Sequence, residues 1–288
     1  MRKRSVSVES QDQMESHEDA LHYLHDSIYG DLDWDATLDY MTSRYIQPLQ
    51  HKFDLSQMHF ADCAAGFGWL SFAYLRAGGK HATLIEPDKM RLEAAREIAA
   101  QLGVLERCTF ICSTLENAPL EEKSVDIFAC VETLEHVGRG NIASGVETIV
   151  RCTRHGVLLT TPNALFPVIA HDTRLPFAHW LPKTVRQHYA ARFNRSELDE
   201  GNDFLTPSDL ALLRRYFKPV ARYQTFASYR EFLAFYPHYL PYGPSAHRHR
   251  QRASLPLRFF MLLAGKLFGT YAYLVSPNLS NIWIRRLE

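Results

Sequence analysis

The sequence predicts an α/β fold, a doubly wound and mostly parallel sheet of seven strands, and three observations carry that prediction. The first is the stretch from Met58 to Asp88, which reads as a short apolar strand ending in Asp62, a turn of small residues, a helix from about Trp69 to Leu75, and a second strand ending in Glu86. The second is the alternation that follows: helix Lys89–Leu102, strand Thr109–Ser113, buried apolar strand Val125–Val131, helix Asn141–Cys152, strand Gly156–Thr161. The third is size. At 288 residues and 46% hydrophobic content the chain can bury a full core, and it is most simply one domain with insertions.

The elements follow in chain order. Residues 1–15, charged and polar with no apolar run, are expected to be a disordered tail without a secretory signal, which points to a cytoplasmic protein. From 16 to 57 the pattern is a helical cap, with Leu21, Leu24, Ile28 and then Leu38, Met41, Tyr45 and Leu49 at three- and four-residue steps. Residues 58–162 form the ligand-binding core, because ligands of such sheets lie at the carboxyl ends of the strands. A long insertion, 163–205, is read as a lid, since loops of this length are commonly functional. It is rich in aromatic residues, proline and histidine, including His171 and His179. Thr206 then serves as N-cap of a helix with Pro207 in its first turn and Leu210, Leu213 and Phe217 as its apolar stripe. The remainder, 206–288, supplies a sixth strand from Val220 to Ala227 and a last, antiparallel one from Asn281 to Arg286. Between them lie a cationic patch (His247, Arg248, His249, Arg250, Arg252) and an apolar segment, Leu255–Val275. Arg258 and Lys266 interrupt that segment, which makes it a poor membrane span but suits peripheral contact with an anionic membrane surface.

Charge and cysteine content narrow the function. Lys plus Arg equals Asp plus Glu at 32 each, which argues against nucleic acid as the main partner. The five cysteines have neither zinc nor disulfide spacing and read as small core residues. Nothing in the sequence bears on oligomeric state.

The turn itself is chemically specific. Small residues let the backbone approach a ligand, while free N–H groups at the start of the next helix face it. Glu86 lies twenty positions after Gly66, a spacing at which a carboxylate can accept both hydroxyls of an adenosine ribose. A pyrophosphate fingerprint is lacking, since Ala64 stands where its first glycine would be.

The pattern Asp62-x-Ala64-x-Gly66-x-Gly68 resembles the first motif of class I S-adenosylmethionine-dependent methyltransferases, with alanine in place of that family's first glycine. The resemblance covers residues 40 to 165 well and the remainder loosely. It implies a Rossmann-like fold with S-adenosylmethionine as cofactor, and cofactor contacts at Asp62, Ala64, Gly66, Gly68 and Glu86. Thr114 stands where the family has an adenine-binding aspartate, with the Leu115 N–H beside it. Arg44, shortly before the first strand, resembles the position that ubiquinone-pathway O-methyltransferases use for the cofactor's carboxylate. The run Cys130-Val131-Glu132-Thr133-Leu134-Glu135-His136-Val137 resembles the same enzymes most closely. In those, and in RNA 3′-terminal 2′-O-methyltransferases, E-x-x-E-H positions hold a divalent metal, so Glu132, Glu135 and His136 are candidate ligands, with Glu132 also beside the cofactor. L-E-H-V occurs widely in class I enzymes without metal. The alternative is a catalytic base: His136, assisted by Glu135, or His171 or His179 from the lid. The reaction so implied is O-methylation of a small or lipid-like hydroxylated acceptor. N- or C-methylation and a non-catalytic cofactor-binding member of the fold are the alternatives.

Overall fold

The computed structural model describes residues 22–27, 30–169, 173–195, 202–235 and 255–287. Seven strands form one sheet in the order β3-β2-β1-β4-β5-β7-β6. They are β1 His59–Cys63, β2 His81–Ile85, β3 Cys108–Ile111, β4 Val125–Val131, β5 Thr153–Thr160, β6 Phe217–Pro219 and β7 Asn281–Arg285. The first five are parallel neighbours, and β7 runs antiparallel to both β5 and β6. The five parallel strands run in one direction, so the turns following β1, β2, β3, β4 and β5 share one edge of the sheet.

Local chemistry explains the helices. Helix α1, Trp34–Met41, is capped by Asp33, whose carboxylate accepts from Ala36 N, and the chain continues through a wider turn, Thr42–Ile46, to Gln47–Gln50. Helix α2, Trp69–Arg76, starts at Gly68, which has φ +84°; a Cβ there would lie 2.5 Å from Phe72 Cζ. Asp88 caps α3, Lys89–Gln101, through Met90 N and Arg91 N. Helix α4, Ile142–Cys152, buries Ile142, Val146 and Ile149 on one face.

Alternation along the strands divides the core. Phe60, Leu84 and Ile127 pack with Leu38, Phe72, Tyr74 and Ile98 on one side of the sheet. Ala61, Ile85 and Phe128 pack with Val146, Ile149 and Trp283 on the other. Each fully buried aromatic or aliphatic side chain contributes roughly 1.5–3 kcal/mol, so the two layers hold the strand ends rigidly. A smaller cluster of Tyr223, Phe226, Phe232 and Met261 joins α7, Tyr229–Phe235, to α8, Leu255–Phe268.

Expectation and structure part after residue 205. Thr206 does not cap a helix: Asp209 Oδ2 accepts from both Thr206 N (2.7 Å) and Thr206 Oγ1 (2.8 Å), closing a turn. Helix α5 spans Lys183–Arg192, and the helix expected from Thr206, α6, spans only Ala211–Tyr216. Phe217, expected on the helical stripe, opens β6 and is fully buried. The expected strand 220–227 is instead a tight turn closed by mutual hydrogen bonds of Tyr223 and Phe226, with Gln224 at φ +55°. The apolar segment 255–275 is α8 followed by a 3-10 stretch, Gly269–Val275. No helix among the described residues is long and apolar enough to cross a membrane. The expected tail (1–15), Leu21, Ile28, His171 and the cationic patch 247–252 lie outside the described residues.

Candidate active site

The turn after β1 is held by backbone bonds and by one carboxylate. Ala65 N donates to Ile85 O (3.1 Å) and Gly68 N to Ala65 O (2.8 Å). Ala64, Gly66 and Gly68 have φ of +55°, +56° and +84°. Alanine in that region is strained, so this turn is over-determined by its surroundings. Glu86 is buried; its Oε2 accepts from Gly66 N (2.8 Å) and its Oε1 from Asp88 N (3.1 Å). The carboxylate expected to face a ribose therefore also fastens the turn. Around a Cβ placed on Gly66 no protein atom lies within 4 Å. Backbone thus borders open space at Gly66, which is the shape a closely approaching cofactor requires.

Asp62, next to last in β1, is buried. Ser71 Oγ donates to its Oδ2 at 2.9 Å, and burial pushes its pKa up to about 7 against the Ser71 bonds. The Ser71 bond ties α2 to the strand end. Because the folded state keeps this proton to about pH 7 while an unfolded aspartate loses it near 4, the folded state binds more protons in between. The contribution to stability is full below the unfolded value and is lost as pH rises through the folded one. We expect the unfolding free energy of Asp62→Asn to lack a slope approaching about 1.4 kcal/mol per pH unit that the parent shows between roughly pH 4.5 and 6.5. Denaturant titrations across that window check it, and parallel profiles of parent and variant would refute the assignment.

After β3, Thr114 Oγ1 accepts from Asn117 Nδ2 (2.9 Å), and Leu115 is buried against Gly145. Glu116 carries a buried Oε2 without a hydrogen-bond partner, and it adds to the rise in the pKa of Cys63 at the end of β1, after burial, Asp62 and Glu86. The sequence pattern does not mark Glu116, because the family's adenine-binding aspartate corresponds to Thr114. An orphaned acceptor beside an open glycine turn fits a ligand with donors, such as an adenosine.

After β4 the chain bends sharply, with Glu132 at φ +50° and its N–H on Thr160 O (2.8 Å). Thr133 Oγ1 donates to Cys63 O (3.2 Å), tying this bend to the β1 turn. Glu135 is buried; Thr161 Oγ1 donates to its Oε2 (2.8 Å), and Asp203 N to its backbone carbonyl (2.8 Å). Burial first, then the charge of Glu132, holds the Glu135 pKa well above the carboxylate range. His136 is exposed, its N–H on Thr133 O (2.9 Å). E-x-x-E-H spacing brings the two carboxyls together but turns the imidazole outward, because Leu134–His136 is one tight 3-10 turn. Among the described residues no group of three or more His, Cys, Asp or Glu is arranged to hold a metal ion. Glu132, Glu135 and His136 do not fit the expected metal centre.

Arg44 is buried, yet its guanidinium already has protein partners. Nη1 donates to Thr225 Oγ1 (2.6 Å) and Nη2 to Gln224 Oε1 (3.3 Å), and it lies over the rings of Phe226 and Tyr45. Tyr40, also missed in the sequence, feels both Arg44 and Glu132: burial raises its pKa, Arg44 opposes and Glu132 adds. Arg44 therefore joins the N-terminal cap to the 223–226 turn beside the β4 end. In the insertion, His179 Nε2 and Trp180 Nε1 both meet Ala164 O, at 3.0 and 2.6 Å, so His179 fastens the segment to itself. Asn163 Nδ2 anchors its base to Leu274 O and Ser276 O.

A sheet with this order, a single strand, β7, antiparallel to both its neighbours, and an open glycine turn at the end of β1 defines the class I methyltransferase fold. Residues 60–156 match the model of a family described as a methyltransferase domain, a span running from β1 into β5. No curated protein matches it. Among solved structures it is similar to MccD protein, with 13% identity over 87% of this chain and 96% of that one and a TM-score of 0.48. It is also similar to magnesium protoporphyrin IX methyltransferase (ChlM) from Synechocystis PCC 6803, with 14% identity, coverages of 76% and 80%, and a TM-score of 0.43. At these values neither bears on what this chain methylates.

Proposed function

We propose that the protein transfers a methyl group to a hydroxyl of a small or lipid-like acceptor held beneath the 163–205 segment. The observation that carries this reading is the meeting of two features at one sheet edge: the open backbone at Gly66 and the Glu132–Glu135 carboxyls, linked through Thr133 and Cys63. In this reading Ala64, Gly66 and Gly68 shape the cofactor cradle, Glu86 meets the ribose, and Leu115, Thr114 and Glu116 flank the base. S-adenosylmethionine supplies an electrophilic methyl group. The protein's part is to align a hydroxyl in line with it and to accept its proton, for which His136 at the mouth and the carboxyl of Glu132 are the residues at hand.

Exposed apolar side chains support a lipid-like acceptor. Leu165, Phe177 and Trp180 project from the insertion. On α8, Leu255, Phe259, Leu263 and Leu267 form an i, i+4 stripe, exposed by 75, 68, 44 and 68%. That helix has no acidic residue and carries Arg258 and Lys266, a composition suited to peripheral contact with an anionic bilayer.

The test is transfer from methyl-labelled S-adenosylmethionine into a fractionated lipid extract and into a panel of water-soluble hydroxyl compounds, each with and without chelator. We expect label in an organic-phase product as a methyl ether, and turnover indifferent to chelation. Label in an amine would replace O- by N-methylation. Turnover lost to chelator and restored by magnesium, manganese or zinc would return Glu132, Glu135 and His136 to a metal. No transfer by a protein that binds the cofactor would leave a binding member of the fold.

A further inference from the structure

A second site lies at the opposite, amino-terminal edge of the sheet, where β1, β4 and β5 begin and β7 ends. The cavity there has a volume of about 530 Å³, within the range of small-molecule pockets. Lys123, Arg154, His155, Arg285 and Arg286 line it together with apolar Phe53, Met58, Ile284 and Leu287. Among the described residues no acidic side chain belongs to the lining, in a chain whose acids and bases are equal in number.

Three features of the backbone build this cleft. In the pairing of β4 with β5, Val125 faces Thr153 and Ile127 faces Gly156, so one residue of β4, Asp126, opposes two of β5, Arg154 and His155. Bulges in parallel pairs are rare, and this one leaves Arg154 and His155 both exposed. Lys123 has φ +49°, a conformation that lysine seldom adopts, with its N–H on Arg151 O at 2.9 Å. Gly156 is kept small by the cleft wall: a Cβ there would lie 2.5 Å from Phe53 Cζ.

The charges are unequally engaged. Arg285 is used internally, with Nη2 on Val150 O and Thr153 O and its guanidinium over Phe217. Asp126 pairs with Arg154 (2.5 Å) and lies 3.5 Å from His155 Nε2. Arg286 gives only Nε of its side chain to a protein carbonyl, Arg214 O, and Lys123 makes no side-chain hydrogen bond or ion pair among the described residues. One acid thus stands against several cations around an apolar wall. We propose that this cleft binds a phosphate monoester carried on an apolar body, with Lys123 and Arg286 on the phosphate and Phe53 and Ile284 against the apolar part. Guanidinium and ammonium donors converging from two strand ends suit a dianion, and the wall favours an ester over the free ion.

Hexyl phosphate and inorganic phosphate are the probes, titrated calorimetrically into the full chain. Hexyl phosphate should bind with a Kd at or below about 1 mM and at least about tenfold more tightly than inorganic phosphate. Lys123→Gly removes the cation and suits the left-handed backbone, so it should fold with an undiminished melting temperature while losing about tenfold or more in affinity. Arg286→Ala should lose affinity similarly. Saturating S-adenosylhomocysteine should leave the hexyl phosphate Kd unchanged, since the two sites are at opposite edges. Vesicles of phosphatidic acid in phosphatidylcholine that retain the parent but not Lys123→Gly would identify a lipid headgroup as the source; hexyl phosphate binding without vesicle retention would identify a soluble ester. Absence of saturable binding, equal affinity for inorganic phosphate, full affinity in Lys123→Gly, or competition with S-adenosylhomocysteine would each overturn the proposal.

Discussion

Gly66→Val should abolish cofactor binding while the protein still folds. At φ +56° a β-branched residue is strained, by roughly 1–3 kcal/mol, which lowers stability without removing the packed layers on either face of the sheet. Its methyl groups would occupy the space that no protein atom fills within 4 Å of that position. Loss of S-adenosylhomocysteine affinity by more than about a hundredfold, or about 2.7 kcal/mol, is the expected calorimetric result. Gly68 is a poorer probe, because any Cβ there meets Phe72 and Leu84 and damages the core directly. A folded Gly66→Val protein that binds like the parent would show that the pocket lies elsewhere.

Glu86→Ala is the second large effect. The carboxylate has acceptor capacity for four hydrogen bonds, and Gly66 N and Asp88 N take two, one on each oxygen. What remains is available to two ribose hydroxyls, and charge-assisted bonds of this kind contribute about 1.5–3 kcal/mol. Affinity should therefore fall by roughly ten- to a hundredfold. Glu86→Gln separates the two duties of the side chain: its amide nitrogen must face one of the two backbone N–H groups, so it should loosen the turn while keeping one acceptor. Unchanged affinity in a folded Glu86→Ala protein would leave Glu86 a brace for the turn and nothing more.

The half of the molecule from β1 to β5 was legible because parallel strands buried on both faces must be short continuous apolar runs, and the turns between them use small or capping residues. Val125–Val131 is the clearest case, with sequence and structure agreeing at both ends. Reading failed where one side chain overrode a local preference. Asp209 captured Thr206 and displaced the helix start to Ala211, and burial of Phe217 drew β6 upstream of its expected place. In the candidate site, spacing located Gly66, Glu86 and the Glu132–Glu135 pair. It did not locate the partners of Arg44, since Gln224 and Thr225 are about 180 positions away and reach it only through the packing of the 223–226 turn. Nor did spacing reveal that His136 turns outward, because E-x-x-E-H has one meaning on an α-helix and another on a single 3-10 turn.

The central claim is that the turn between β1 and α2 is a working cofactor pocket. Titration of the parent protein with S-adenosylhomocysteine, with Gly66→Val in parallel, tests it most directly. One saturable site per chain with a Kd of about 10 μM or tighter, absent in the variant, is the expected result. A folded parent with no saturable binding up to about 1 mM would contradict it.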